Sequence, residues 1–87
     1  MKSIRLENGL NLEVREEALD NMELLDDLVD LDEGSGYAIS RVVGRILSKE
    51  EKKKLYDHLR EDGVVKISKV VDAMKEIFDK LGSAGKN

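Results

Sequence analysis

The chain has 87 residues, a formal net charge of −4 and no cysteine. This length supports one small domain with a single core, and the absence of cysteine excludes a disulfide framework and a thiolate metal site. No apolar run approaches the roughly 20 residues that cross a bilayer, and the charged start does not fit a signal peptide, so we expect a soluble cytoplasmic protein.

The first predicted element is a β-hairpin over residues 3–14. Apolar and polar residues alternate on both sides of Asn8-Gly9, and the apolar ones are Ile4, Leu6, Leu10, Leu12 and Val14. Asn-Gly between alternating runs is a strong hairpin signal, because a type I′ turn needs positive φ at both central residues. A lone hairpin is marginal in water, so we expect its apolar face to lie on helices or to join the sheet of a neighbouring copy.

An acidic, leucine-rich helix is predicted over about residues 16–31, ended by Gly34-Ser35-Gly36. Residues 16–33 contain nine acids, eight apolar residues and no base. The apolar positions form two adjacent stripes, one of Ala18, Met22, Leu25 and Val29 and the other of Leu24, Leu28 and Leu31. The acids near the C-terminal end oppose the helix dipole, which favours either a solubility role or a basic partner.

Three further helices are predicted over about residues 37–47, 49–60 and 69–81. They complete an α+β, mainly α, fold in a single domain of residues 1–82. Ser48 and Glu51 predict a capping box for the second of these helices. Ser68 is the predicted N-cap of the last helix and Gly82 its C-cap, which leaves residues 83–87 as a flexible tail.

Charge is distributed unevenly along the chain. Residues 1–37 carry eleven acids and three bases, whereas residues 38–87 carry eight acids and twelve bases. Two interpretations remain open. Either the halves neutralise each other within one fold, or acidic and basic faces meet between copies or on a partner.

No group of residues predicts catalysis, a cofactor or a metal site. An EF-hand loop begun at Asp30 would place Gly34 and Arg41 where the motif needs carboxylates. His58 is the only histidine, and no cysteine accompanies it. The basic run of residues 49–54 is interrupted by two glutamates and lacks aromatic residues for stacking. We therefore expect a protein that is not an enzyme and that binds neither nucleic acid nor membrane.

The order of these elements resembles the small tail assembly chaperones of long-tailed phages and prophages of Gram-positive hosts. The resemblance covers the N-terminal strand pair, residues 16–25, 39–47 and 55–63, and the last helix through Leu81. It implies a non-enzymatic protein that self-associates and keeps the tape-measure protein soluble in the host cytoplasm while tail-tube subunits polymerise. Such proteins are absent from the finished virion. A longer, frameshifted form often recruits tail-tube protein, and codons for Gly85-Lys86-Asn87 can contain a slippery heptamer.

The predicted partner-binding surface is the second stripe of the acidic helix with two neighbouring acids: Leu24, Asp27, Leu28, Asp30 and Leu31. A chaperone for an amphipathic client needs an apolar surface to cover the client and charge to stay soluble. The alternative function, from a different class, is a small acidic regulator, such as an antitoxin or anti-repressor. It would neutralise a basic protein through the same helix.

Overall fold

A computed structural model describes the backbone of residues 1–86 and the side chains of residues 1–82. The predicted α+β, mainly α, fold is confirmed: a two-stranded antiparallel sheet precedes four α-helices. The strands are β1 (Lys2–Arg5) and β2 (Asn11–Val14). A 3-10 turn (Glu16–Leu19) follows, and the helices are α1 (Met22–Asp32), α2 (Ala38–Ile46), α3 (Lys49–Leu59) and α4 (Ile67–Lys86).

The hairpin forms, but its turn differs from the predicted one. Gly9 is the one residue of this fully described loop with positive φ, at 93°. Its N–H donates to the Leu6 carbonyl (2.9 Å), and the Leu6 N–H donates to the Leu10 carbonyl (2.8 Å). These bonds define a three-residue loop with a single left-handed residue. The predicted type I′ turn at Asn8-Gly9 is therefore wrong.

The apolar face of the hairpin lies on helices of the same chain, and α2 is central to the core. Leu12 and Val14 are buried, and the Arg15 N–H donates to the Ile46 carbonyl (2.9 Å), which joins the hairpin to the end of α2. α2 contacts the 3-10 turn and the other three helices. Five of its nine residues are buried: Ala38, Ile39, Val42, Val43 and Ile46.

Half of the predicted capping box forms at the start of α3. Ser48 Oγ accepts the Glu51 N–H (3.2 Å), as predicted. The Glu51 carboxylate instead accepts the backbone N–H of Glu13 (2.8 Å) and binds the Lys54 ammonium (3.2 Å). Glu51 therefore links α3 to β2 instead of closing its own helix end.

The last helix is longer than predicted. It begins at Ile67 and continues through Gly82 to Lys86, so Ser68 is not its N-cap and Gly82 is not its C-cap. The predicted flexible tail, residues 83–87, lies largely outside the described residues. Its side chains are not described, and neither is the backbone of Asn87.

A tight turn connects α3 to α4. Asp62 and Gly63 both have positive φ, 51° and 80°, and Glu61 and Val64 exchange two backbone hydrogen bonds around them. Positive φ at both central residues is the requirement of a type I′ turn. The geometry predicted for Asn8-Gly9 therefore occurs at Asp62-Gly63.

Candidate interaction surface

The acidic segment predicted as one helix over residues 16–31 is divided in two. The 3-10 turn ends at Leu19, and α1 begins only at Met22. Asn21 is extended between them, and its Oδ1 accepts the Glu23 N–H (2.8 Å). Asparagine is among the best N-caps, because its side chain satisfies a backbone donor that the helix leaves free. The prediction of one continuous helix is therefore wrong at Asn21.

The other end of α1 is closed by a Schellman motif, in agreement with the predicted stop at Gly34-Ser35-Gly36. Gly34 has φ 104°, and its N–H donates to the Leu31 carbonyl (3.1 Å). The Ser35 N–H donates to the Asp30 carbonyl (2.9 Å). These two bonds satisfy carbonyls that the last turn leaves free. α1 is thus an 11-residue helix with both ends defined.

The predicted binding residues do not all face outward. Leu24 is 2% exposed and Asp27 is 5% exposed, so both belong to the interior. Leu28 and Leu31 are half-buried against the core, and only Asp30 of the predicted set is exposed. The placement of Leu24 and Asp27 on an exposed surface is therefore wrong.

The exposed apolar side of α1 is instead the first of the two predicted stripes, which was not the predicted binding surface. Met22, Leu25 and Val29 are 67%, 51% and 48% exposed, and we call these three residues the outer stripe. The prediction aligned them with Ala18 on one helix. Because the chain bends at Asn21, Ala18 packs on the core while the outer stripe does not.

Asp27 is held by two arginines of α2. Arg41 Nε donates to its Oδ1 (2.8 Å), and Arg45 Nε donates to its Oδ2 (2.7 Å). The hydrogen bond from Arg41, and to a lesser extent that from Arg45, holds the pKa of the Asp27 carboxyl below its usual value. Desolvation of the carboxylate acts in the opposite direction. The hydrogen bond with Asp27 also raises the pKa of the Arg45 guanidinium.

The same arginines pair with further acids of α1. Arg41 lies 3.3 Å from Asp30, and Arg45 lies 3.5 Å from Glu23. Neutralisation within one fold therefore accounts for three of the nine acids in residues 16–33. The other six form no ion pair with any described side chain, and they are Glu16, Glu17, Asp20, Asp26, Asp32 and Glu33.

An apolar groove lies beside the outer stripe, between α1 and α4. One part, of about 290 Å³, includes Leu31, Val71 and Met74 in its walls. The other part, of about 340 Å³, includes Leu19, Met22 and Leu25. Leu28 and Phe78 line both parts, so the two are adjacent, and we call the whole the α1–α4 groove. The residues of α4 in this groove were not predicted as site residues.

Two other surface features lie away from this groove. Tyr37 and Ile67 are exposed at a second apolar pocket of about 310 Å³, and we call the walls of this pocket the Tyr37 patch. A polar cleft contains His58 together with acids from the hairpin loop, the α3–α4 turn and α4. Among the described residues, no group of three or more His, Asp or Glu side chains could hold a metal ion.

Comparison with protein-family models, with curated proteins and with solved structures finds no match to this chain. Within the described residues, no helix is long and apolar enough to cross a membrane. The α1–α4 groove and the adjacent outer stripe combine two apolar pockets with three exposed apolar side chains of α1, which makes this surface the candidate interaction site.

Proposed function

We propose that the protein is a non-enzymatic assembly chaperone that binds an amphipathic helix of its client in the α1–α4 groove. Following the resemblance of the sequence, we propose that this client is the tape-measure protein of a long-tailed phage or prophage. The observation that carries the proposal is the exposed outer stripe beside an open apolar groove. Contiguous apolar surface of this kind is typical of sites where proteins bind other proteins.

The shape of the site favours a helical client. Met22, Leu25 and Val29 follow the i, i+3, i+7 spacing that lines one side of a helix. At about 1.5 Å per residue, α1 presents roughly three turns to a helix lying along it. A tape-measure protein is expected to be long and helical, and its apolar stripes need cover until tail-tube subunits surround it.

The proposal extends to the other expected properties of such a chaperone. The Tyr37 patch provides apolar surface for self-association that is separate from the client groove. The location in the host cytoplasm, the absence from the finished virion and the recruitment of tail-tube protein by a longer form are supported by the resemblance alone.

The alternative, an acidic regulator that neutralises a basic protein through α1, has less support. Glu23, Asp27 and Asp30 are already paired with arginines of α2, and they include the most buried acid of the helix. A regulator that acts through charge alone would not need the exposed apolar outer stripe.

Co-expression with the tape-measure protein tests the proposal. We expect the wild-type chain to raise the soluble fraction of the client and the double variant Met22→Asp/Leu25→Asp to lose this effect. The variant Val64→Asp makes the same kind of change at an exposed apolar residue that lines neither the groove nor the Tyr37 patch, and it is the control. A client that is equally insoluble with and without the wild-type chain would contradict the proposal.

A further inference from the structure

The α1–α4 groove combines apolar walls with acidic edges. Asp20 and Asp32 line the groove itself, at opposite ends of α1. Asp26 and Glu33 follow Met22 and Val29 by four residues, so they border the other side of the outer stripe. All four are exposed, and none forms an ion pair with a described side chain. Lys75 is the one base among the described residues that line the groove.

We infer that the α1–α4 groove selects amphipathic helices whose apolar stripe is bordered by lysine or arginine on both sides. This inference rests on the proposed function and specifies the client segment. The apolar stripe of the client would cover the outer stripe and Phe78, and its bases would lie against the four acids. Complementary charge around an apolar contact sets partner choice and orientation more than it sets affinity.

The contrast between the two sides of α1 supports this assignment. On the inner side, each acid that faces α2 has an arginine of this chain as its partner. On the outer side the acids flank apolar residues and lack such a partner within the described chain. Asp32 and Glu33 also lie at the C-terminal end of α1, where the helix dipole disfavours negative charge. Bases supplied by a client would pair with these acids and would offset the unfavourable interaction of Asp32 and Glu33 with the helix dipole.

A second copy is a poorer occupant of the groove. If the outer stripes of two copies faced each other, the acids of one would lie against those of the other, and juxtaposed like charges disfavour association. The lysine-rich helix α3 does not provide a complementary stripe, because its Leu55 is fully buried in the core. The acidic edges likewise disfavour binding to an anionic lipid surface.

Three synthetic peptides test the inference. Each has 18 residues and the same leucine stripe at helical spacing, and the border positions carry Lys, Gln or Glu. Titration calorimetry against the full chain should rank the peptides in the order Lys, Gln, Glu, with about a tenfold difference between the first and the last at low salt. High salt should reduce this difference, because the border charges are exposed.

Two variants separate the apolar contribution from the charged one. The quadruple variant Asp20→Asn/Asp26→Asn/Asp32→Asn/Glu33→Gln should bind the Gln peptide as the wild type does but lose the preference for Lys over Glu. The variant Met22→Asp/Leu25→Asp should lose all three peptides. Urea unfolding of both variants checks that they are folded, and since these side chains are exposed, we expect midpoints close to that of the wild type.

The possible outcomes distinguish this inference from the proposed function. Equal affinity for the three peptides would overturn the charge selection while leaving solubilisation of the tape-measure protein intact. A different set of results would show that the groove holds a second copy and that the inference is wrong. In that case the chain alone would sediment as an oligomer, Met22→Asp/Leu25→Asp would make it monomeric, and no peptide would displace the second copy. If the wild-type chain ranks the peptides as expected but does not solubilise the tape-measure protein, the proposed function is wrong and the charge selection stands.

Discussion

The two sides of α1 are built from the same residue types, yet they meet opposite surroundings. Leu24 is buried and Leu25, its neighbour in sequence, is half exposed. Asp27 is enclosed by two arginines, whereas Asp26, the residue before it, has no ionic partner among the described side chains. Since the members of each pair are chemically identical, any difference between their substitutions reports the surroundings and not the residue type.

In the proposed role, one helix of this small chain serves both folding and binding. The inner side of α1 attaches the helix to α2 by apolar packing and by ion pairs. The outer side is then presented on a fixed support and contributes little to folding. Substitutions on the two sides should therefore have separable effects on stability and on binding.

The largest expected effect comes from the leucine pair. Leu24→Ala leaves a cavity in the core and should lower the free energy of unfolding by about 2–5 kcal/mol. Leu25→Ala removes the same atoms from an exposed position and should change it by about 0.5 kcal/mol or less. Urea unfolding followed by circular dichroism measures both. Similar losses for the two variants would mean that α1 is not oriented as described.

The aspartate pair should give the next largest effect. Asp27→Asn keeps the shape of the side chain but removes the charge that Arg41 and Arg45 both contact. We expect a lower urea midpoint than in the wild type, with a loss smaller than that of Leu24→Ala, because both arginines retain a second acidic partner. Asp26→Asn is the matched control and should leave the midpoint nearly unchanged. An equal response of the two variants would contradict the enclosed position of Asp27.

The pKa of Asp27 predicts a dependence of stability on pH. The arginine hydrogen bonds lower this pKa in the folded chain below the ordinary value of 3.8. The unfolded chain therefore takes up the proton at a higher pH than the folded chain does. The stabilisation is fully present above 3.8 and is lost as the pH falls through the lower, folded-state pKa.

Unfolding midpoints measured from about pH 6 to about pH 2 test this dependence. We expect the decline in acid to be shallower in Asp27→Asn than in the wild type, because the variant has no carboxyl to protonate at that position. Asp26→Asn removes the same charge at an exposed position without an arginine partner among the described residues and is the control. A slope that Asp27→Asn leaves unchanged would show that other carboxyl groups account for the decline.

Much of the fold could be predicted because its signals are local. The alternation around Asn8-Gly9 predicted the hairpin, the spacing from Ile39 to Leu47 predicted α2, and Ser48 predicted the start of α3. The predicted helix boundaries are wrong where two local sequence signals point to different structures. The apolar spacing continues past Asn21 and so predicts a helix residue there, although asparagine is also a strong N-cap.

The candidate site could be predicted only in part, because which stripe faces the core depends on contacts between helices. The sequence predicted that α1 is apolar on two sides, and the structure shows both. The sequence alone does not show that Arg41 and Arg45 contact Asp27, since that depends on how α1 and α2 pack. The contribution of Phe78 to the groove likewise depends on the position of α4, which no local pattern encodes.

The smallest effect that we predict concerns the start of α1. Asn21→Ala removes the side chain that caps the Glu23 N–H and should cost about 0.5–2 kcal/mol of stability. Asn21→Ser is the matched control, because serine supplies an acceptor of similar capping strength and should restore most of the loss. Hydrogen exchange should show faster exchange at the Glu23 amide in Asn21→Ala. If Asn21→Ser loses as much as Asn21→Ala, the cap is not what fixes this end of the helix.

The same variant connects the folding of α1 to its surface. Met22 is the first residue of α1, directly after the cap, and it is the most exposed member of the outer stripe. A frayed first turn would misplace Met22 without changing its chemistry. We therefore expect Asn21→Ala to weaken binding of the lysine-bordered peptide modestly, and Asn21→Ser to bind it as the wild type does. Unchanged binding in Asn21→Ala would limit the contact to the part of the outer stripe formed by Leu25 and Val29.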